Sequence, residues 1–500
     1  MKINLLRLSL KERYVGRMMF AALVAALLAF GSPRGAYAIP SFARQTGLAC
    51  ASCHTVFPHL TPFGRYFKLH GYTITSAKLI KALKVYLEND TTTVKHVALE
   101  ISHIPMVSVR LASRWNDQAG GNDLVPAGPV TAGQGFISSP AGYGGKDALN
   151  LLSGSSVYIA GEITPNLGTF LEFGGVNDNG GGFGLGMLDV ALVSPNMTVL
   201  GKNFVYGIRA EDIMGAGDPS NTIGNWGLTS TLMGLSTHNT LFDPGTAFEE
   251  GGELFGMLGN FYTGGFYASV GAYRPDANQT GTSFVQGSLA GNGSLDGTDG
   301  AANGYLRLSY YLPQIASNLY TEIGTFGYLG SLNMTTPAKA LPGATENYVD
   351  NYSDYGFDLQ AQYIGGKNLI ELFALFQDQR DGAFYGIDEF TGLPGNGEAV
   401  ARQGFGVKAD YYYDATIGVY AKYLYQTSAQ LKDMNVSGGI IGVSYFPWEN
   451  VNLRLEETLY NTYNIGAAQY AAYLNPGAPN ATAIAASDFD VTAVKVEYLF

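Results

Sequence analysis

From about Ile104 to the C-terminus, apolar and polar residues alternate in stretches of roughly ten, separated by glycine-rich punctuation. A period of two sends successive side chains to opposite faces of a strand. About ten residues is also the length that a tilted strand needs to cross a bilayer. The last stretch is the plainest: Val494, Val496, Tyr498 and Phe500 share one face, and Lys495 and Glu497 take the other. A strand that ends on a terminal aromatic also suits recognition by the outer-membrane assembly machinery. Sixteen stretches are predicted, near 104–114, 151–163, 168–176, 184–193, 198–210, 252–260, 265–274 and 303–312, then 319–329, 355–364, 369–378, 401–412, 416–427, 436–446, 451–462 and 489–500. Short turns at 164–168, 194–197, 260–264, 313–318, 365–368, 413–415 and 447–450 alternate with longer Gly/Asn/Asp-rich loops, the longest being 115–147 and 211–251. Short turns at one rim and long loops at the other mark a transmembrane β-barrel, and an even strand count puts both ends of the barrel on the periplasmic, short-turn side. The expected fold is a transmembrane β-barrel of about 16 antiparallel strands over residues 101–500.

Ahead of the barrel the period changes. Leu79, Ile80, Leu83, Tyr86 and Leu87 follow helical spacing with Lys78, Lys81 and Lys84 on the remaining face, which predicts an amphipathic helix within 76–90. Earlier still, Lys2, Arg7, Lys11, Arg13 and Arg17 precede a short apolar run, Met18 to Phe30, and Ala36-Tyr37-Ala38 has the form of a cleavage site. Residues 1–38 are therefore expected to be a signal peptide, with Ile39 opening the mature chain. The apolar run is too short for a spanning helix.

Composition agrees with a membrane barrel. Charged residues are only 14% of the chain, against about 25% for a soluble domain, and the chain carries 66 Gly and 33 Tyr but 3 Trp. Without residues 1–38 there remain 23 basic and 40 acidic residues, a net charge of −17. Nucleic acid is thereby excluded as an expected partner, because its binding needs a basic surface.

The chemistry is concentrated in Cys50-Ala51-Ser52-Cys53-His54, which contains the only two cysteines of the chain. CxxCH is the attachment site of haem c. The two thiols add to the vinyl groups of the porphyrin, and His54 ligates the iron from one side. A disulfide across two intervening residues would be strained and redox-active rather than structural. The predicted cofactor is one covalent haem c in a monohaem segment with short helices, residues 39–100. Arg44, Arg65 and Lys68 are candidates to pair with the haem propionates. For the distal iron position the candidates are His70, His103 and Met106; His59 lies only five residues past His54 and is expected to be too close. Ile39, Phe42, Leu48, Phe57, Leu60, Phe63 and Phe67 offer apolar cover for one haem face. About 35 residues cannot build a core of their own, so the lumen of the barrel is the expected wall for the other.

The residues around this motif resemble a known family. Phe42-Ala43-Arg44-Gln45-Thr46-Gly47, then Pro58, Leu60, Phe63-Gly64-Arg65, Phe67-Lys68 and Gly71-Tyr72 are similar to the fused monohaem cytochrome–porins of the bacterial outer membrane, best known as Fe(II) oxidases. The resemblance covers close to thirty residues and is architectural over the rest. It implies electron transfer across the outer membrane, from extracellular Fe(II) to a periplasmic electron-carrier cytochrome, with outer-membrane lipid around the barrel. Three alternatives stay open: another extracellular donor, an extracellular acceptor with the current reversed, or a diffusion porin whose haem plug is structural or sensory. A haem in the lumen would serve both sides of the membrane. The loops at 211–251 and 379–400 are expected to shape the outer mouth, with Glu249, Glu250, Asp388 and Glu389 as candidates to draw in cations.

Overall fold

A computed structural model of the protein describes residues 41–55, 59–75, 107–118, 148–150, 152, 155–176, 184–213, 215, 217–222, 248–275, 303–334, 348–384, 398–428, 435–448, 450–463 and 490–499. The expected signal peptide, the helix within 76–90, His103, Met106, Asp388 and Glu389 lie outside the described residues. Three short helices come first, α1 (Ser41–Thr46), α2 (Cys50–Cys53) and α3 (Pro62–Leu69). They are followed by β1 (Val107–Gln118), β2 (Ala148–Asn150), β3 (Ser155–Thr164), β4 (Leu167–Val176), β5 (Gly184–Val193) and β6 (Met197–Val199). Next are β7 (Lys202–Ile213), β8 (Phe248–Asn260), β9 (Gly264–Pro275), β10 (Asn303–Tyr311), β11 (Leu319–Met334) and β12 (Tyr348–Gly365). The chain ends with β13 (Asn368–Phe384), β14 (Glu398–Tyr413), β15 (Ile417–Ser428), β16 (Val436–Trp448), β17 (Val451–Tyr463) and β18 (Val491–Leu499).

The sheet closes on itself. β1 runs antiparallel to β18, Arg110 opposite Leu499 through Gln118 opposite Val491. On its other edge β1 meets β3, with Val107 opposite Ile159. Between these ends each long strand pairs antiparallel with the next. β2 and β6 are three-residue pieces that extend the pairing of β1 and β7, and the remaining strands form a closed barrel of sixteen. Closure leaves no edge groups unpaired, which is what a sheet surrounded by lipid requires.

Burial is inverted relative to a water-soluble protein. Along β12, Tyr355, Phe357, Leu359 and Tyr363 are exposed, whereas Asp354, Asp358, Gln360 and Gln362 are buried. On β15, Val419, Tyr423 and Tyr425 face out, and Lys422 and Gln426 face in. An apolar outer belt over polar inner positions is the alternation of a lipid-embedded barrel. No helix among the described residues is long and apolar enough to cross a membrane; the crossing elements are strands.

Two features depart from the periodicity. β11 to β14 run well past the stretches predicted for them, so that Met334 still pairs with Tyr348. In the sequence of these extensions, the polar residues Ser331, Asn333 and Asn351 fall in phase with the outward apolar positions Ile323, Leu329, Tyr355 and Phe357. The backbone ladder continues where a lipid-facing pattern is no longer needed. The segment after β7 was expected only at the outer mouth, yet Asp218, Ser220 and Thr222 are buried against the inner wall. Arg307 gathers them: its guanidinium donates to Thr222 Oγ1 (2.9 Å) and Glu322 Oε1 (3.0 Å), bonds Asp358 with two nitrogens, and lies 3.7 Å from Asp218 Oδ2. The wall's inward charges draw this polar stretch inside.

Candidate functional site

The site is built on one helical turn. Ala49 enters α2 in an extended conformation, and His54 leaves it extended (φ −116°, ψ 133°), with its N–H donating to Cys50 O at 2.9 Å. Spacing of three puts both thiols on the same side of the turn. Neither cysteine is in a disulfide, and both are half-buried. Burial, helped by the neighbouring Cys50, pushes the Cys53 thiol up to about 12. Two thiols outside any disulfide and one turn apart, followed directly by an imidazole, are the donor set that haem c takes. The residues present fit the group.

That turn is held from behind by α3. Thr61 caps the helix, accepting from Gly64 N at 3.0 Å, and Pro62 supplies the first helical position, where its missing N–H costs nothing. The same Thr61 reaches back to α2: its N–H donates to Cys53 O (2.9 Å) and its hydroxyl to Ser52 O (2.7 Å). Gly64 is needed for this approach, since a Cβ there would stand 2.0 Å from Cys53 O. α3 ends in a Schellman motif. Gly71 takes a left-handed φ of +58°, Gly71 N bonds Lys68 O (3.0 Å), Tyr72 N bonds Phe67 O (3.1 Å), and the rings of Tyr72 and Phe67 meet at 5.9 Å. Gly71 O lies so close to β4 that a Cβ on Gly168 would stand 1.9 Å from it.

The segment's own contacts bind it to the wall. Gln45 donates to Tyr72 O (2.6 Å) and Ile74 O (2.9 Å) and accepts from Glu162 N on β3 (2.9 Å). Ser41 N bonds Ser108 Oγ on β1 at 3.1 Å. Tyr72 Oη donates to Asp189 Oδ2 on β5 at 2.6 Å. Leu69 joins an apolar cluster with Ala191, Val205, Phe255, Met257 and Tyr267, an inward patch of β5 and β7 to β9. Thr55 Oγ1 and His59 Nδ1 both donate to Glu371 on β13, each at 2.6 Å. Partners such as Ser108, Gln362 and Glu371 sit one to three residues from the short-turn ends of their strands.

The predicted site residues divide as follows. Arg44 donates to Val107 O at the start of β1. Arg65 is buried, donates to Gln362 Oε1 (2.7 Å) and Gln360 Oε1 (3.3 Å), and lies 3.8 Å from Glu322. Lys68 donates to Asn221 in the inward segment after β7. Burial, then the charge of Arg209, lowers its pKa to about 8. His70 has Tyr66 O at Nδ1 (2.8 Å) and Asn196 Oδ1 at Nε2 (2.9 Å). Phe42 and Phe67, expected as haem cover, form an aromatic cluster with Tyr72 and Phe170. His59, set aside as too close, is 3% exposed and bound at both ring nitrogens, with Lys408 Nζ 2.7 Å from Nε2. Its partners Glu371, Lys408 and Asp410 are more than 300 residues away in the chain and read in the sequence only as inward positions of a strand.

No family model matches the chain, and no curated protein matches it. Among solved structures, the anion-selective porin from Comamonas acidovorans is similar at 13% identity, covering 79% of this chain and 98% of that one, with a TM-score of 0.42. The Salmonella typhi OmpF complex with daunomycin is 10% identical over 79% and 97%, with a TM-score of 0.42. The outer membrane channel DcaP of Acinetobacter baumannii is 11% identical over 79% and 96%, with a TM-score of 0.39. The assignment of the barrel here rests on its strand pairing and inverted burial.

Proposed function

We propose that the protein is an outer-membrane electron-transfer barrel. In this reading residues 41–55 and 59–75 plug the short-turn, periplasmic end of the lumen and carry one covalent haem c. Extracellular Fe(II) is the proposed electron donor and a periplasmic cytochrome the acceptor. One observation supports this above the rest: a Cys50–Cys53 turn outside any disulfide, followed by His54 and pinned by Thr61 and Gly64 in a segment bonded to the inner wall. Bound there, haem c supplies reversible one-electron exchange at its iron. Cys50 and Cys53 would hold it by thioether bonds, and His54 would ligate its iron from one side. The distal ligand is sought among His70, His103 and Met106. Thr61 and Gly64 keep the turn in register, and the surrounding wall limits bulk water.

Position constrains the donor. β12 continues for 14 residues beyond Gln362 to Tyr348, roughly 35 Å along the barrel axis at about 3.3 Å per residue and a ~40° tilt. A donor from outside must therefore be small enough to descend the lumen, which a hydrated ferrous ion is. The inward carboxylates of Asp354 and Asp378, nearer the long-loop rim than the Arg307 cluster, would favour a cation on that descent. The Fe(II) assignment itself rests on the likeness of residues 42–72 to the iron-oxidase type of cytochrome–porin.

The test is expression with the haem-maturation system, followed by a pyridine haemochrome assay, stopped-flow mixing with Fe(II) and liposome swelling. One haem per chain, reduction by Fe(II) and exclusion of sugars are expected. Matured protein without haem refutes the reading. Haem that Fe(II) does not reduce moves the function to a conduit for another donor or acceptor. Free passage of sugars makes it a diffusion porin with a structural or sensory haem.

A further inference from the structure

The wall opposite the haem motif carries a group of side chains that anchoring alone does not account for. His59 from the N-terminal segment, Glu371 from β13 and Asp410 from β14 each offer one ligand atom within 4.8 Å of the others. His59 Nδ1 is 2.6 Å from Glu371 Oε2 and 3.8 Å from Asp410 Oδ2. All three residues are at most 3% exposed. Lys408 brings an ammonium into direct contact, 2.7 Å from His59 Nε2 and 3.4 Å from Asp410 Oδ2. Two buried carboxylates thus share the Lys408 ammonium, and His59 bridges them, with Nδ1 on Glu371 and Nε2 against the ammonium. Burying an excess negative charge is costly unless a cation joins it. Asp410 Oδ2 accepts no hydrogen bond and is aimed at this gap.

We propose that His59, Glu371 and Asp410 form a binding site for a divalent first-row transition cation, with the Lys408 ammonium standing in for the ion until it arrives. One imidazole and two carboxylates suit Mn(II), Fe(II) or Zn(II). Ligand atoms about 2.1 Å from a common metal stand roughly 3.0–3.4 Å apart, so the 2.6 Å contact opens and the 3.8 Å contact closes, each by under an ångström. For His59 to ligate through Nδ1, its hydrogen moves to Nε2. Lys408, which donates to Nε2, then has to swing away. The ammonium and the ion therefore compete for Asp410 and for the tautomer of His59. The site does not depend on the haem, since all its ligands come from side chains that meet across the plug–wall contact.

Mn(II) titration of the full-length, haem-loaded protein in detergent tests this, read by electron paramagnetic resonance. One tightly bound Mn(II) per chain is expected, with a nitrogen-14 coupling from a single imidazole. His59→Gln should abolish the coupling, and Asp410→Asn should weaken binding by about tenfold or more. Lys408→Met should tighten it about tenfold or more, because a competing charge a few ångströms away is removed. The Lys408 variant covers the case in which Asp410→Asn fails to fold. Wild type and Lys408→Met both binding Mn(II) without nitrogen coupling, or no tighter than His59→Gln, would overturn the site and leave the group as an ion network that holds the plug. Neither result bears on haem attachment, which the haemochrome assay reads separately.

Discussion

Gly64→Ala is the sharpest probe of how the haem motif is held. An added Cβ falls 2.0 Å from Cys53 O and 2.9 Å from Cys53 C, and an ordinary carbon–oxygen contact needs about 3.3 Å. α3 therefore has to retreat by more than about an ångström. That stretches both Thr61 bonds to α2, now 2.9 and 2.7 Å, each worth about 1 kcal/mol net. Overpacking adds about 1–3 kcal/mol. Against this, alanine is a better helix former than glycine by about 1 kcal/mol. The balance is a local destabilisation of about 2–4 kcal/mol that leaves the barrel intact. The assay is limited trypsin digestion of the folded protein, because Arg65 and Lys68 are at most 7% exposed and are cut only when the segment opens. Opening made easier by about 2 kcal/mol raises cleavage there ~30-fold. Gly304→Ala is the control, since a Cβ there meets nothing within 4 Å. Equal cleavage of Gly64→Ala and Gly304→Ala, with equal haem content, would refute the account of the pinned turn.

Arg307→Met should lower barrel stability by about 3–5 kcal/mol, because Asp218, Glu322 and Asp358 are left buried without their shared cation; the midpoint of heat-modifiable migration on gels reads it. Leu306→Arg, one residue earlier on the outer face, should cost about 2–4 kcal/mol in vesicles if the belt meets lipid; urea refolding into liposomes measures this, and no penalty would contradict the membrane orientation. Lys68 supplies a pH test. Its folded pKa of about 8 lies below its unfolded value, so between about pH 8 and 10.4 the unfolded chain binds the extra proton and stability rises with pH. Hydrogen-exchange protection of residues 62–72 should increase across that window in the wild type and stay level in Lys68→Met.

Much of the architecture is legible in the alternation of residues because lipid enforces it at every outward position. β5 begins and ends at the residues predicted, Gly184 and Val193. The same signal fails beyond the lipid belt. β11 to β14 continue there by backbone pairing alone, which leaves no mark on side-chain type. The inner wall is legible only as a class. Nothing in the chain distinguishes the inward Asp189, Glu371 and Lys408, which meet the N-terminal segment, from the inward Gln426, which does not.

By itself the sequence determined the closed antiparallel barrel, the rim that carries short turns, and the spacing of Cys50, Cys53 and His54. These follow from local rules: strand period, turn chemistry and one turn of helix. Only the tertiary structure decided that Arg65 and Lys68 are engaged by the wall, that His59 joins Glu371 and Lys408, and that residues 217–222 turn inward. Those outcomes depend on which buried charges meet across the barrel, and no local pattern records that. A buried charge must find its partner wherever closure places it, and closure brings together residues 300 positions apart.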